Sequence, residues 1–369
     1  MKKKQTEFEF KWDELAWRLL DWYRAGHREL PWREDDDPYH IWISEIMLQQ
    51  TRAVAVIPYY ERFMKEVPDI KALSEIEDDR LMKLWEGLGY YSRARNLKKA
   101  AQILVSEYGG RMPADFDAIA SLPGIGPYTA GAIASIAFHL PYPAVDGNVL
   151  RIMARLLCYE NEIDKGASRK EIEACVAQMI PEEPGLFTQA MMELGATLCG
   201  PSGAPRCEQC PWCDACCAHA EGSQLQYPRK SPKKSRRIEH YTVLLIQDAN
   251  RTAIRKRPEA GLLAGMYEFP MLEGKCGKES TLEKVREMGY NPIRMHSLPE
   301  AKHIFTHKEW HMSGYRIIVD ELSQKPDTDL IFVEHSEAEK HYPMPSAFRA
   351  YMELVSIKQG NRLFYPEGE

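Results

Sequence analysis

Leu122-Pro123-Gly124-Ile125-Gly126-Pro127-Tyr128-Thr129-Ala130 is the stretch on which the reading of the fold turns. Its glycines allow a tight turn that feeds the start of a helix, where free backbone amides point at whatever approaches and a missing Cβ lets a phosphate come close. Alone the pattern is weak, because most glycine turns merely redirect the chain. Its company makes it informative. Twenty residues beyond Gly126 stands Val145-Asp146-Gly147-Asn148-Val149, an acid in an apolar neighbourhood. Upstream, Trp42-Ile43-Ser44-Glu45-Ile46-Met47-Leu48-Gln49-Gln50-Thr51 sets one carboxyl group among apolar residues at helical spacing. Judged locally, a lone Glu in such a stretch stands more often at a helix–solvent boundary, and Asp146 suits a helix N-cap as well as a chemical role, the two being compatible.

Around these motifs, Phe10 to about Cys199 reads as helices joined by short loops. Trp12, Leu15, Leu19 and Trp22 recur at helical spacing. Asp37-Pro38 has the form of a cap followed by a proline at the first helical position, opening a helix through Ile41, Ile43, Ile46 and Met47. Another helix follows the glycine turn, from Ala130 to Phe138. No repeat of fixed period is present. Tyr227-Pro-Arg-Lys-Ser-Pro-Lys-Lys-Ser-Arg-Arg237 is basic, proline-broken and without apolar periodicity, and reads as a linker that is either a solvated tether or a segment skirting nucleic acid. Beyond it, Tyr241-Thr-Val-Leu-Leu-Ile246, Thr252-Ala-Ile-Arg255, Gly314-Tyr-Arg-Ile-Ile-Val319 and Leu330-Ile-Phe-Val333 read as strands, with helices over 282–288 and 346–356. The expected architecture is an all-α domain at 1–225, a basic linker at 226–238 and a smaller α+β domain at 239–369.

A chain of 369 residues exceeds one ordinary core, and 44% apolar with 28% charged residues is the composition of a globular protein. No apolar run approaches the roughly 20 residues of a membrane span. The N-terminus, Met1-Lys2-Lys3-Lys4-Gln5-Thr6-Glu7, has no apolar region of a secretory signal, so a cytoplasmic protein is expected. The net charge of −6 divides into −9 for residues 1–225, +6 for 226–237 and −3 for 238–369. A local basic face matters more to a polyanion than that sum, so charge decides nothing about nucleic acid.

Five of the nine cysteines crowd between Cys207 and Cys217, which favours metal ligation over a disulfide framework. Cys199, Cys207, Cys210 and Cys216 are separated by seven, two and five residues. That spacing serves a tetrahedral zinc or an iron–sulfur cluster equally well. Cys213 and Cys217 leave the ligand register open.

Taken together these motifs resemble the helix-hairpin-helix DNA glycosylases that carry an iron–sulfur loop. Within them, the run around Glu45, Gly87-Leu88-Gly89-Tyr90-Tyr91-Ser92-Arg93-Ala94-Arg95-Asn96 and Gln189-Ala190-Met191-Met192-Glu193-Leu194-Gly195-Ala196 resemble the adenine-specific MutY branch. The resemblance is dense through Cys216 and thinner beyond. It implies one [4Fe–4S] cluster on Cys199, Cys207, Cys210 and Cys216, although the loop has seven residues between its first two cysteines where six are usual. It implies a monomeric enzyme of the bacterial cytosol or nucleoid that excises adenine mispaired with 8-oxoguanine or guanine in double-stranded DNA, after flipping the base out of the helix.

Glu45 would be the general acid that protonates adenine N7. Burial among Ile43, Ile46 and Met47 should keep it protonated. Asp146 would stabilise the sugar cation or trap it briefly, with Asn148 and Tyr128 orienting the site. Bifunctional relatives carry a lysine where Tyr128 stands, so no Schiff base and no strand cleavage are expected. Gly124 and Gly126 would meet the DNA backbone, and Tyr90 would wedge beside the estranged guanine. Gln50 would fill the gap near Leu88 and Thr51, while Arg33 and Gln189 would contact the adenine. For Tyr90 and Tyr91 a place in the core is a competing reading.

Gly261-Leu262-Leu263-Ala264-Gly265-Met266-Tyr267-Glu268-Phe269-Pro270 resembles the Nudix-like domain that such enzymes carry at the C-terminus. Residues 282–290 lack the paired acids of a nucleotide hydrolase. Phe305-Thr306-His307 instead matches a Phe-Ser-His loop that inspects 8-oxoguanine in relatives, with Thr306 keeping the hydroxyl and adding a methyl group.

Overall fold

In the computed structural model, residues 10–232, 235–248, 250–320 and 329–358 are described; the basic N-terminal run and Lys233 and Lys234 of the linker lie outside them. The chain divides into two compact units, Met1–Glu75 with Asn96–Lys233, and Ile76–Arg95 with Lys234–Glu369.

The first unit is helical. Its elements are α1 (Trp12–Ala25), α2 (Pro38–Leu48), α3 (Ala53–Glu66) and α4 (Ile70–Glu75). After α5 (Asp78–Leu84), which belongs to the second unit, come α6 (Ser92–Tyr108), α7 (Phe116–Ser121), α8 (Pro127–Phe138), α9 (Gly147–Leu156), α10 (Gly166–Met179), α11 (Pro184–Thr197) and the short α12 (Cys217–Ala220). Asp37 caps α2 as its sequence predicts, its side chain accepting from the Tyr39 amide. Leu15, Leu19 and Leu20 of α1 meet Val149, Ile152 and Met153 of α9, with Ile172 of α10 and Leu194 of α11, in one core. The flanking Trp12 and Trp22 lie only partly buried at its edge.

Helix α8 is buried almost all round, from Thr129 to Ile136. Small residues make that possible. A Cβ on Gly131 would stand 2.3 Å from the Pro143 carbonyl oxygen, and one on Gly185 of α11 would stand 2.8 Å from the Ser135 carbonyl oxygen. The backbones therefore touch, and the Ser135 and Thr188 hydroxyls hydrogen-bond across the contact at 2.9 Å.

The second unit contains a seven-stranded sheet in the order β3-β2-β1-β6-β5, with β4 and β7 pairing β1 and β2. The strands are β1 (Arg237–Asp248), β2 (Arg251–Lys256), β3 (Tyr267–Glu268), β4 (Met271–Glu273), β5 (Pro292–Ile304), β6 (Lys308–Val319) and β7 (Ile331–Glu334). Central β1 runs parallel to β6, while β5 and β6 form an antiparallel hairpin. Val243 and Leu245 face a core with Ala338 of α14 (His335–His341) and Tyr351 of α15 (Arg349–Leu354). Leu244 and Ile246 face the opposite core, with Val285 of α13 (Lys278–Glu287). Covering both faces explains why β1 is a continuous apolar run rather than an alternating one. The expected order of an all-α part followed by an α+β part is what the chain adopts. Among the described residues, no helix is long and apolar enough to cross a membrane.

The backbone contact at Gly131 yields a stability test. Gly131→Ala is expected to lower the free energy of unfolding by about 2 kcal/mol, as overpacked cores do. The urea midpoint should fall at constant slope, and an unchanged midpoint would mean that the chain at Pro143 gives way freely.

Candidate active site and cysteine centre

Three elements of the first unit bring the motif carboxyl groups together. Helix α2 presents Glu45 on its buried side, with the residue only 5% exposed. Tyr128, in the first turn of α8, donates from its hydroxyl to Glu45 Oε2 at 2.6 Å. Desolvation pushes the Glu45 carboxyl up to about 7; the Tyr128 hydrogen bond and the Arg33 charge oppose the rise, and the charge of Asp146 adds to it. The same burial raises the Tyr128 phenol further above its ordinary value, so that it stays a hydrogen-bond donor.

Asp146 is the N-cap of α9. Its Oδ1 accepts from the amides of Asn148 and Val149, each at 2.8 Å, and its Oδ2 accepts from Asn148 Nδ2 at 2.7 Å. The cap reading and a role beside Glu45 therefore coexist, as the sequence allowed. Asn148 is gripped in turn by Arg151, whose Nη2 donates to Asn148 Oδ1 and to the Gly195 carbonyl, both at 2.9 Å. A Cβ at Gly195 would come within 2.8 Å of Asn148 Cβ, so this glycine makes room for the asparagine.

A second group lies on α1, the turn after it, and α11. Buried Glu193 accepts from Arg28 Nε at 2.7 Å and from Arg33 Nη1 at 2.9 Å. Burial works to raise the Glu193 carboxyl, but the Arg28 hydrogen bond and the charges of Arg33 and Arg28 bring it below its ordinary value. The Tyr23 hydroxyl donates to Gln189 Oε1 at 2.8 Å, and the Arg33 guanidinium stands 5.6 Å from the Tyr23 ring centre. Arg33 and Gln189 are thus held in place by Tyr23, Arg28 and Glu193, which the sequence reading had not singled out. Their signal was faint: Glu193 and Gly195 stood inside a quoted motif, while nothing in the sequence marked Tyr23 or Arg28.

The glycine turn lies between α7 and α8. Gly124 and Gly126 are exposed and Ile125 is buried. Gly124 has φ +80°, and a Cβ there would fall 2.7 Å from Asn96 Cβ, so glycine is required on both counts. Gln50, just past α2, is exposed with φ +61°, and Thr51 follows, partly buried.

The remaining predicted residues belong to the second unit. Leu88 and Tyr91 are buried, whereas Tyr90 is 46% exposed with φ +47°. Phe305, Thr306 and His307 form the turn between β5 and β6. Phe305 packs edge-on against Trp310, leaving Thr306 and His307 exposed. The Tyr90 hydroxyl lies 3.0 Å from Thr306 Oγ1.

Cys199, Cys207, Cys210, Cys213 and Cys216 line one cavity with an empty volume of about 440 Å³, which Arg155, His219 and Gln224 also border. The loop is pinned to α1 by Trp212, whose Nε1 donates to the Leu15 carbonyl at 2.8 Å. Arg155 Nη1 points at Cys199 Sγ from 3.3 Å, and Arg151 Nε donates to the Cys199 carbonyl at 2.8 Å. Cys217 is engaged elsewhere, its sulfur bonded to Cys158. Among the described residues, no three of the five cavity thiols come within 4.8 Å of one another. The first half of the basic linker lies along this unit: Tyr227 is buried, and Ser231 Oγ donates to Glu162 at 2.6 Å.

Comparison with known proteins fits this geometry. Residues 43–178 match the HhH-GPD superfamily of base excision DNA repair proteins, and residues 241–354 match the NUDIX domain. An adenine DNA glycosylase of Buchnera aphidicola subsp. Acyrthosiphon pisum is 34% identical over 308 residues, spanning 83% of this chain and 87% of that protein. The adenine DNA glycosylase of Mus musculus is 34% identical over 362 residues, spanning 82% and 70%. The chain belongs to the adenine DNA glycosylase family. It is accordingly an enzyme of the class acting on N-glycosidic bonds, and the resemblance read from its motifs is borne out. Among solved structures, a thermostable thymine-DNA glycosylase aligns with TM-score 0.52 and 28% identity, over 57% of this chain and 97% of that one.

The buried carboxyl group makes stability depend on pH. With its value raised from 4.5 to about 7, folded Glu45 holds a proton that the unfolded chain has released, so stability falls as pH rises through that window. Glu45→Gln removes the effect. The variant should match the parent near pH 4 and exceed it near pH 8 by on the order of 3 kcal/mol in urea unfolding. A difference that stays constant with pH would contradict this account of Glu45.

Proposed function

We propose that the protein excises adenine from adenine–8-oxoguanine and adenine–guanine mispairs in duplex DNA and leaves the strand itself intact. The observation that carries the reading is a buried Glu45, its carboxyl raised to about 7 by desolvation and held by Tyr128, beside the Asp146 cap of α9. Cleaving the bond from adenine to deoxyribose requires a proton on the base and negative charge near the sugar as it becomes a cation. Glu45 delivers its proton to adenine N7. The N9–C1′ bond then breaks with its electron pair going to the base, and water adds to C1′ while losing a proton. Asp146, oriented by three N–H donors, meets the sugar cation as an ion-pair partner or a transient nucleophile. Arg33 and Gln189 contact the adenine, which must leave the helix to reach them. The exposed turn at Gly124 and Gly126 approaches the backbone phosphates.

The second unit reads the opposite base in this proposal. Tyr90 and Thr306 share a hydrogen bond on exposed segments of that unit, which supports assigning Tyr90 with Leu88 to the estranged guanine, and Phe305, Thr306 and His307 to inspecting its oxidation. Gln50 and Thr51 occupy the space vacated by the adenine. One chain supplies every group named, consistent with action as a monomer.

The cysteine centre suits one [4Fe–4S] cluster on Cys199, Cys207, Cys210 and Cys216. Arg155 and Gln224 aim N–H groups at Cys199 and Cys207 sulfurs, as bound thiolates require. Such a cluster would brace the loop against α1 and α9 rather than take part in bond cleavage.

A duplex with adenine opposite 8-oxoguanine, labelled on the adenine strand, should show a break only after alkali. A break without alkali would mean lyase chemistry and defeat the proposal; an intact strand despite tight binding would point to a non-catalytic sensor. Glu45→Gln and Asp146→Asn should each bind the duplex normally and excise at least about 100-fold more slowly. In the parent, the single-turnover rate should decline as pH rises through about 7, where Glu45 loses its proton.

A further inference from the structure

Cys158 and Cys217 stand outside every role assigned above. Their sulfurs are bonded, with Cα atoms 5.6 Å apart across a sequence separation of 59. Cys158 lies just past the C-terminal end of α9, the helix that opens on Asp146. Cys217 opens α12, next in sequence to Cys216. The bond therefore ties the helix that bears one active-site carboxylate to the loop that bears the cavity thiols, at that loop's last cysteine. Apart from this bond, Cys216 meets α9 through a long hydrogen bond from its sulfur to the Arg155 carbonyl, 3.5 Å. The two sulfurs are not equally placed: Cys217 is 8% exposed, while Cys158 is only partly buried. Of the two residues, Cys158 is the more open to an outside reagent, and its bonded partner Cys217 is placed to resolve the exchange.

We propose that Cys158 and Cys217 are a reversible redox pair that exchanges with low-molecular-weight disulfides and thiols and, when closed, fastens the cysteine loop to α9. Closing converts two protein thiols and one external disulfide into one Sγ–Sγ bond and two external thiols. Two electrons and two protons pass from the pair to the reagent, through a mixed disulfide on Cys158. The closed bond shortens the chain path between α9 and the loop, so a loop that lets go of the cluster stays near it. The fastening rests on the cluster reading given under the proposed function, whereas the exchange does not.

The test equilibrates the iron-loaded protein anaerobically across ratios of oxidised to reduced glutathione. Samples are quenched by alkylation and digested, the peptide linking 158 to 217 is quantified by mass spectrometry, and iron loss to a chelator is timed in parallel. The linked peptide should rise and fall reversibly with the ratio, and iron should leave the closed form at least about threefold more slowly than the open one. In Cys158→Ser, iron loss should be fast and indifferent to the ratio. Two thiols alkylated at every ratio, or a bond that never opens, would overturn the redox pair. So would stoichiometric zinc in the reduced protein, since a Glu221 carboxylate oxygen lies within 4.8 Å of both sulfurs and would complete a metal site with them. Equal iron loss from open and closed protein would overturn the fastening. A preparation without iron would count against the cluster reading, and the linked peptide would still decide the exchange.

Discussion

Everything at the active site depends on one carboxyl group being kept away from water beneath a phenol. Glu45 is buried because α2 is apolar on nearly every side and packs against α8, which Gly131 and Gly185 in turn let close on Pro143 and α11. Opening the packing around α2 would admit water, lower the desolvation that holds the carboxyl near 7, and release the proton that the proposed reaction uses. Packing and acidity are here the same constraint viewed at two scales.

From Asp146 a second line of dependence runs the length of α9. The carboxylate caps the helix, Asn148 holds the carboxylate, Arg151 holds Asn148 and reaches the Cys199 carbonyl, and Arg155 one turn later reaches the Cys199 sulfur. Two arginines buried in a helical core are expensive unless every donor finds a partner. Here carbonyls of the cysteine loop supply several of those partners, including Gly200 for Arg155. Disturbing the loop would therefore leave buried guanidinium groups without acceptors within one helix length of the active site. That gives the cysteine loop a structural stake in the site.

The fold was legible where a residue's local pattern and its tertiary role coincide. Asp37-Pro38 caps a helix in sequence and in structure, and the apolar run of β1 is a strand in both. Glu45 was legible only in part, since its apolar neighbours at helical spacing allow a helix–solvent boundary as well as burial, and the family resemblance decided between them. The supporting residues were not. Tyr23, Arg28 and Glu193 meet only when α1 and α11 pack, and a tyrosine on an apolar stripe looks like any core residue. Arg151 and Arg155 gave a weak sign, two cations one turn apart on a helix otherwise apolar, but what they bind lies over 40 residues away. The pairing of Cys158 with Cys217 was hidden too, because the crowding of thiols after Cys207 made Cys217 a candidate metal ligand and nothing marked Cys158.

Position 128 shows how one side chain selects between two chemistries. Its terminal group sits 2.6 Å from the Glu45 carboxyl. A lysine reaching the same point would set a cation against that carboxyl, and an opposite charge at such a distance favours ionisation strongly. The acid would lose its proton to the medium and the amine would be held as an ammonium, poor both as a proton donor's partner and as a nucleophile until substrate separated them. The phenol does neither. It is neutral, it donates one hydrogen bond, and burial keeps it protonated far beyond the working range. In the proposed reaction, a site that must offer a proton to a neutral base gains from tyrosine here, and it forgoes in the same stroke the amine that would let it attack the sugar.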